Sequence, residues 1–182
     1  MEETMSNPSG SIHRIEFPCS VLKRIEDHVR TCYPEEACGV LLGYDANGGL
    51  ITVTEFLPIK NTADQPLHAF TLHPAEWTSV VLTRPDLVGL FHSHPHTPPE
   101  PSAKDLAELE AFGSLLRIYA IGTPFRVSDG FRLKLATYEV TLPDHSGSIG
   151  HLNDNAGPAA PSPAHCRAQR YHLQPVPYAS LR

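Results

Sequence analysis

Two histidines and an aspartate have the residue types and the spacing of a metal-ligand set. His92 and His94 lie at the end of the apolar run LVGLF, which predicts a buried strand, and side chains two apart on a strand point to the same side. Asp105 follows a proline-rich loop over residues 95–101 that limits how far the ligands can drift apart. Imidazole nitrogens and a carboxylate suit Zn²⁺. Three protein ligands leave a fourth position for water, which is the arrangement of a catalytic zinc rather than a structural one.

The same residues also have simpler interpretations. A His-x-His pair at a strand end is more often incidental than metal-binding. Ser102 is a favourable helix N-cap, and an acid at Asp105 is favourable near the positive end of a helix dipole. Because one helix start can also present a ligand, the two interpretations of Ser102 and Asp105 are compatible. Spacing alone therefore leaves the metal site open.

The composition is that of a globular protein. The chain has 182 residues, of which 41% are hydrophobic and 19% charged, and its net charge is -6. This charge gives no reason to expect nucleic acid or an anionic membrane as a partner. The four cysteines form no CxxC pair, which argues against a disulfide scaffold. We see no secretory signal and no apolar run of membrane-spanning length, so we expect a cytoplasmic protein.

The elements that would position these residues alternate between strand and helix. We predict a flexible leader over residues 1–11, one domain over 12–141, and a disordered tail rich in Pro, Gly and Ser over 142–182. The apolar patterns predict strands at residues 12–17, 38–44, 50–59, 69–72, 87–92, 115–121 and 131–140. They predict helices at residues 20–32 with Ser20 as the cap, 74–83 and 102–112. The fold class is therefore α/β or α+β around one sheet.

A longer pattern resembles a known family. Glu36-Ala37-Cys38-Gly39, followed by HSHPHTPPEPSAKD, is similar to the JAMM (MPN+) zinc metalloprotease motif: a Glu before a small residue and Gly, then His-x-His, seven residues, Ser, two residues and Asp. The resemblance covers about residues 12–140 and indicates a small, stand-alone, prokaryotic-type member. It implies the MPN fold, a cytidine deaminase-like α/β domain with a mixed sheet flanked by helices. The His-x-Glu and Pro-Cys-x-x-Cys motifs of a zinc deaminase are absent.

The resemblance also implies a role for each matching residue. His92, His94 and Asp105 would bind zinc, Glu36 would be the general acid/base, and Ser102 would donate a hydrogen bond to the oxyanion. Glu35 is the competing candidate for the base, and the spacing to Gly39 favours Glu36.

These roles predict a hydrolase, a zinc-dependent (iso)peptidase. Its expected substrate is the C-terminal Gly-Gly of a ubiquitin-like or sulfur-carrier protein. The alternative is a non-catalytic MPN module for binding or scaffolding. Such modules usually lack some of the metal ligands, whereas this sequence retains the complete set. A role in DNA repair or phage assembly is less favoured, because no helix-hairpin-helix segment or cell-wall hydrolase domain accompanies this one. The sequence leaves open the substrate's identity, peptide or isopeptide specificity, the oligomeric state and the tail's role.

Overall fold

The computed structural model describes residues 10–128, 130–142 and 171–181. These residues form three α-helices and eight strands, in the order β1 (Arg14–Pro18), α1 (Cys19–Cys32), β2 (Cys38–Asp45), β3 (Leu50–Ile59), α2 (Pro74–Thr83), β4 (Leu87–Ser93), α3 (Ala103–Phe112), β5 (Ile118–Val127), β6 (Gly130–Thr141), β7 (His172–Pro175) and β8 (Tyr178–Leu181). In this part of the chain, no helix has both the length and the apolar character needed to cross a membrane.

All eight strands form one mixed sheet, in the order β7-β6-β5-β4-β2-β3-β1-β8. Strand β2 lies between β3 and β4 and is antiparallel to both, whereas β4 runs parallel to β5 and β1 runs parallel to β3. The predicted α/β class with a mixed sheet flanked by helices is therefore confirmed.

Hydrophobic side chains cover both faces of this sheet. The apolar stripe of α1, formed by Val21, Ile25 and Val29, packs into the cluster on one face. Val80 of α2 and Leu109 of α3 belong to the cluster on the other face. The first six residues of β2 are all buried, which explains why the sequence there is a continuous apolar run and not an alternating one.

The β2–β3 hairpin turns where Asn47, Gly48 and Gly49 predict it. Gly48 and Gly49 have φ values of 62° and 131°, a region that residues with a side chain rarely adopt. The carboxylate of Asp45 accepts the N–H groups of Asn47 and Gly49 at 3.2 and 3.0 Å. The turn therefore combines glycine conformations with a side-chain cap.

The predicted disordered tail differs from the structure at its end. Residues 171–181 form β7 and β8, which pair with β6 and β1 at opposite ends of the sheet order. Between them lies Val176, which is buried in the core. The loop-like composition of residues 142–182 as a whole gives no sign of this short segment. Its strands are stabilised by hydrogen bonds to β6 and β1, which no local pattern indicates. The described residues do not include 143–170 and 182 of the predicted tail, or 1–9 of the predicted leader.

Three smaller expectations also differ. Helix α1 begins at Cys19 after Pro18 and has no side-chain cap, so Ser20 lies inside the helix. The expected strand at 69–72 is reduced to one bridge between Asn61 and Leu72. Strand β5 begins at Ile118 because residues 113–115 form a single 3₁₀ turn.

Candidate metal centre

The structure brings the three predicted ligands together at the end of β4. The Nε2 atoms of His92 and His94 are 2.8 Å apart. The Asp105 carboxylate lies 3.3 Å from the His92 nitrogen and 3.4 Å from that of His94. One ligand atom from each residue lies within 4.8 Å of the others, and all three residues are buried. Two imidazoles and one carboxylate thus converge on a common point, as a metal-ligand set requires.

The surroundings of the histidines fix their orientation. The Nδ1 atom of His94 lies 2.9 Å from the Pro98 carbonyl, to which it donates its hydrogen. This assigns the lone pair to Nε2, the atom that faces the other two ligands. The ring of Phe70 stacks on His92 at a centroid distance of 4.5 Å and an angle of 26°. The Pro98 carbonyl therefore orients His94, whereas the Phe70 ring restrains only the plane of the His92 ring, whose Nδ1 is buried without a hydrogen-bond partner among the described residues.

Asp105 reaches this point from the first turn of α3. The Ser102 N–H donates to the Asp105 carboxylate at 2.7 Å, and the Asp105 N–H donates to the Ser102 hydroxyl oxygen at 3.1 Å. This reciprocal pair is a capping box. The helix start therefore has the N-cap that the sequence predicts and also presents a carboxylate to the histidines. The Ser102 hydroxyl keeps its own hydrogen for another acceptor.

The donor set fits a divalent cation. Because the neutral His94 ring carries its hydrogen on Nδ1, its Nε2 lone pair faces the Asp105 carboxylate and the Nε2 atom of His92. Groups that can accept a hydrogen bond or bind a cation thus lie close together. Burial lowers the pKa of His92, which favours the neutral ring that binds metals. Burial alone would raise the pKa of Asp105, but its contacts with the two histidines and the hydrogen bond from the Ser102 N–H hold it well below its ordinary value. A carboxylate and two imidazole nitrogens that converge on one point are a favourable site for a cation such as Zn²⁺.

The candidate base and the candidate oxyanion donor line the same cleft as two of the candidate metal ligands, His94 and Asp105. A cavity of about 220 Å³ is bordered by Glu36, His94, Ser102 and Asp105, with residues 67–70 forming one wall. Burial raises the pKa of Glu36 to about 7, with His94 opposing the shift and Asp105 adding to it. A carboxylate with such a pKa can accept and return a proton near neutral pH. Glu35 is exposed and does not border the cavity.

The main chain around Glu36 is fixed by residues that the sequence analysis did not single out for this role. The Glu36 N–H donates to the Pro66 carbonyl at 2.7 Å, and the Asn61 side chain donates to the Glu36 carbonyl at 2.9 Å. The next N–H, that of Ala37, donates to the buried hydroxyl of Ser93 at 2.8 Å. These contacts join segments that are distant in sequence, so no local spacing could have revealed them.

Gly39 has a packing reason for its place after Glu36. A Cβ atom there would lie 2.6 Å from the Leu57 carbonyl oxygen of β3 and 2.6 Å from the ring of Phe56. Any side chain at this position would push β2 away from β3. The glycine therefore lets β2, which begins two residues after Glu36, lie close against its neighbour.

Comparison with known proteins agrees with this geometry. The profile of prokaryotic homologs of the JAB domain matches residues 18–133, which include Glu36 and all the other candidate site residues. The chain belongs to this prokaryotic JAB-domain family. The predicted JAMM/MPN membership is thereby confirmed.

One relative and one solved structure can be compared with this JAB-domain chain. Desampylase from Haloferax volcanii is 37% identical over 90 residues, which are 47% of this chain and 63% of desampylase. The matched region thus spans less than two thirds of that protein. A solution structure of a Desulfitobacterium hafniense protein matches with a TM-score of 0.52 and 24% identity, over 69% of this chain and 83% of that one. The second comparison supports the fold alone.

Proposed function

We propose that this JAB-domain protein is a zinc-dependent peptidase or isopeptidase that cleaves next to the C-terminal Gly-Gly of a ubiquitin-like or sulfur-carrier protein. The observation that carries the proposal is the convergence of His92, His94 and Asp105 beside a cleft, which His94 and Asp105 border together with Glu36 and Ser102. Three protein ligands, a carboxylate outside the ligand set and a hydroxyl donor are the parts that metal-assisted amide hydrolysis requires.

Each residue has a distinct part in this proposal. Bound zinc would supply a Lewis acid that activates water and polarises the scissile carbonyl. Glu36 takes a proton from the attacking water and returns it to the leaving amine, for which its raised pKa of about 7 is suited. The Ser102 hydroxyl, whose oxygen already accepts the Asp105 N–H, donates its hydrogen to the developing oxyanion.

The substrate class rests on two considerations. The relative from Haloferax volcanii is named desampylase, and for this chain we propose a ubiquitin-like protein as the corresponding class of substrate. The second consideration is that the candidate metal ligands are buried, beside a cavity of about 220 Å³ between the wall at residues 67–70 and the start of α3. Two successive glycines let an extended tail approach a buried metal site closely.

Zinc content tests the metal site first. We expect about one zinc per chain in the purified parent and much less in Asp105→Ala, measured by elemental analysis after removal of free metal. Glu36→Gln should retain its zinc, because Glu36 is outside the ligand set. A parent that holds no zinc after reconstitution would overturn the assignment of the ligands.

Cleavage of a fusion tests the reaction. The substrate is a ubiquitin-like protein whose Gly-Gly is followed by a short reporter peptide, with a Gly-Gly to Ala-Ala version as the control. We expect zinc-loaded parent to cut after Gly-Gly, chelator to abolish cutting, and Glu36→Gln to lose about 10²–10⁴-fold in rate. A zinc-loaded parent that leaves peptide-linked and isopeptide-linked substrates intact would favour the non-catalytic binding module instead.

A further inference from the structure

Asn61 uses every donor and acceptor of its side-chain amide. It lies in the loop between β3 and α2, and its Nδ2 group donates to the carbonyls of Glu36 and Ala69, both at 2.9 Å. Its Oδ1 atom accepts the N–H groups of Ala63 and Thr71 at 2.9 and 3.0 Å. Two donors and two acceptor sites are all that a primary amide offers. The side chain thus makes three hydrogen bonds within its own loop and a fourth to Glu36, which lies two residues before β2 begins.

This connection joins the candidate base to the wall of the cleft. Glu36 has its N–H bonded to the Pro66 carbonyl and its own carbonyl bonded to Asn61, so both main-chain groups depend on the same loop. Ala69 belongs to the cleft wall, residues 67–70, and the neighbouring Phe70 ring stacks on His92. The base, the wall and one candidate metal ligand are therefore arranged around a single amide.

The carboxylate of Glu36 has no hydrogen bond or ion pair of its own to other residues in the described part of the chain. Its position in the cleft consequently depends on the main chain that carries it. Catalysis by a general base requires the carboxylate within hydrogen-bond reach of the attacking water, and a displacement of about 1 Å can cost about 10²-fold in rate. A residue that fixes the Glu36 main chain can thus control turnover without touching substrate or metal.

We propose that Asn61 is a positioning residue: its amide fixes the main chain of Glu36 relative to the cleft wall, so that the carboxylate is aligned for proton transfer. This inference rests on the proposed function for its kinetic consequence. The anchoring itself is a property of the folded chain and can be measured without any substrate.

Amide hydrogen exchange of the zinc-loaded protein tests the anchoring. In Asn61→Ala we expect the N–H groups of Ala63, Thr71 and Glu36 to exchange about tenfold faster, while those within β2 stay protected. Asn61→Asp keeps an acceptor for Ala63 and Thr71 but loses the two donated bonds. In Asn61→Asp the N–H groups of Ala63 and Thr71 should therefore exchange as slowly as in the parent, whereas that of Glu36 should exchange as fast as in Asn61→Ala. Unchanged exchange at all three amides in Asn61→Ala would overturn the proposal.

Steady-state kinetics on the Gly-Gly fusion test the consequence for turnover. We expect kcat, expressed per zinc-loaded enzyme, to fall about 10–100-fold in both Asn61→Ala and Asn61→Asp with zinc content unchanged. Thr62→Ala is the matched control, because it removes only the bond from the Thr62 hydroxyl to the Thr71 carbonyl in the same loop. Its kcat should stay within about twofold of the parent.

Three results would count against the positioning role. The first is a loss of stability and zinc in Asn61→Ala with normal kcat in the loaded fraction, which would indicate a purely structural residue. The second is full kcat in Asn61→Asp, which would show that the bond to the Glu36 carbonyl is dispensable. The third is an equal fall in Thr62→Ala. A parent that cuts no Gly-Gly substrate refutes the proposed function instead, and the exchange data then decide alone whether Asn61 anchors Glu36.

Discussion

Ser93 forms hydrogen bonds with both main-chain polar groups of Ala37. The Ala37 N–H donates to the Ser93 hydroxyl oxygen at 2.8 Å, and the Ser93 N–H donates to the Ala37 carbonyl at 2.9 Å. Ser93 lies between the two candidate histidine ligands, and Ala37 directly follows the candidate base Glu36. The pair therefore joins the residue that follows the candidate base to the strand end that carries both histidines.

Removing the Ser93 hydroxyl should weaken both the fold and the site. In Ser93→Ala the Ala37 N–H loses its buried acceptor, and we expect the free energy of unfolding to fall by about 1–3 kcal/mol. Urea denaturation of the zinc-free protein measures this. Ser79→Ala, at an exposed position on α2, is the control and should change stability by about 0.5 kcal/mol or less. Equal stability of the two variants would contradict the importance of the Ser93–Ala37 pair.

Two buried tyrosines should respond in opposite ways to loss of their hydroxyl groups. The Tyr138 hydroxyl donates to the Pro99 carbonyl at 2.8 Å, whereas that of Tyr119 is buried without a partner among the described residues. We expect Tyr138→Phe to lower the free energy of unfolding by about 1 kcal/mol and Tyr119→Phe to leave it unchanged or raise it. Thermal and urea unfolding measure both. A destabilised Tyr119→Phe would show that its hydroxyl is hydrogen-bonded in solution.

The sequence could indicate the metal-ligand candidates because their spacing is local. His92 and His94 are two apart at a strand end, and Asp105 follows Ser102 at a helix start, so short-range geometry constrains each pair. The assignment of roles, including that of Glu36, came from the family resemblance. These roles stay predictions, although the structure brings the three candidate ligands together and places Glu36 and Ser102 at the cleft beside them.

The supporting contacts could not be predicted because they connect distant segments. Asn61 is 25 residues from Glu36, and Ser93 is 56 residues from Ala37. Neither pair produces a periodic pattern or a recognisable spacing. The same reason explains the missed strands β7 and β8, whose hydrogen bonds come from β6 and β1 and whose composition resembles a loop. By contrast, the 47–49 turn and helix α2 follow from glycine and proline positions.

Asp45 should contribute stability that is lost in acid. Its carboxylate accepts the Gly49 N–H and a hydrogen bond from Arg117 at 3.0 Å. Although partial burial opposes ionisation, these bonds lower the pKa of Asp45 below its ordinary value of 3.8. A carboxyl group with a lower pKa in the folded chain stabilises the fold above its unfolded pKa, and this contribution disappears as pH falls through the folded pKa.

Asp45→Asn tests this pH dependence. We expect the variant to be less stable than the parent at about pH 7, and the difference to shrink progressively below about pH 4. Urea denaturation across this pH range gives the comparison. Asp64→Asn, at an exposed loop position, is the control and should follow the parent throughout. A constant difference between Asp45→Asn and the parent from neutral to acidic pH would mean that the charge of Asp45 is not responsible.

The segment at residues 171–181 should be part of the stable domain and not a dispensable tail. Val176 lies between β7 and β8 and is only 7% exposed. Its N–H donates to the Thr137 carbonyl at 2.9 Å, and its carbonyl accepts the Thr137 hydroxyl at 2.6 Å. The Pro177 carbonyl accepts the Ile15 N–H at 3.1 Å, so the segment is bonded to both β6 and β1.

Val176→Ala should therefore lower the free energy of unfolding by about 1–3 kcal/mol, because it removes buried methyl groups. Val81→Ala on α2, where the side chain is 37% exposed, is the control and should have a smaller effect. Deleting residues 171–182 should cost more than either substitution, since it also removes the partners of β1 and β6 and exposes two strand edges that can associate with other chains. Thermal unfolding and light scattering measure these effects. A truncated protein with the parent's stability and no tendency to associate would restore the interpretation of this segment as a linker.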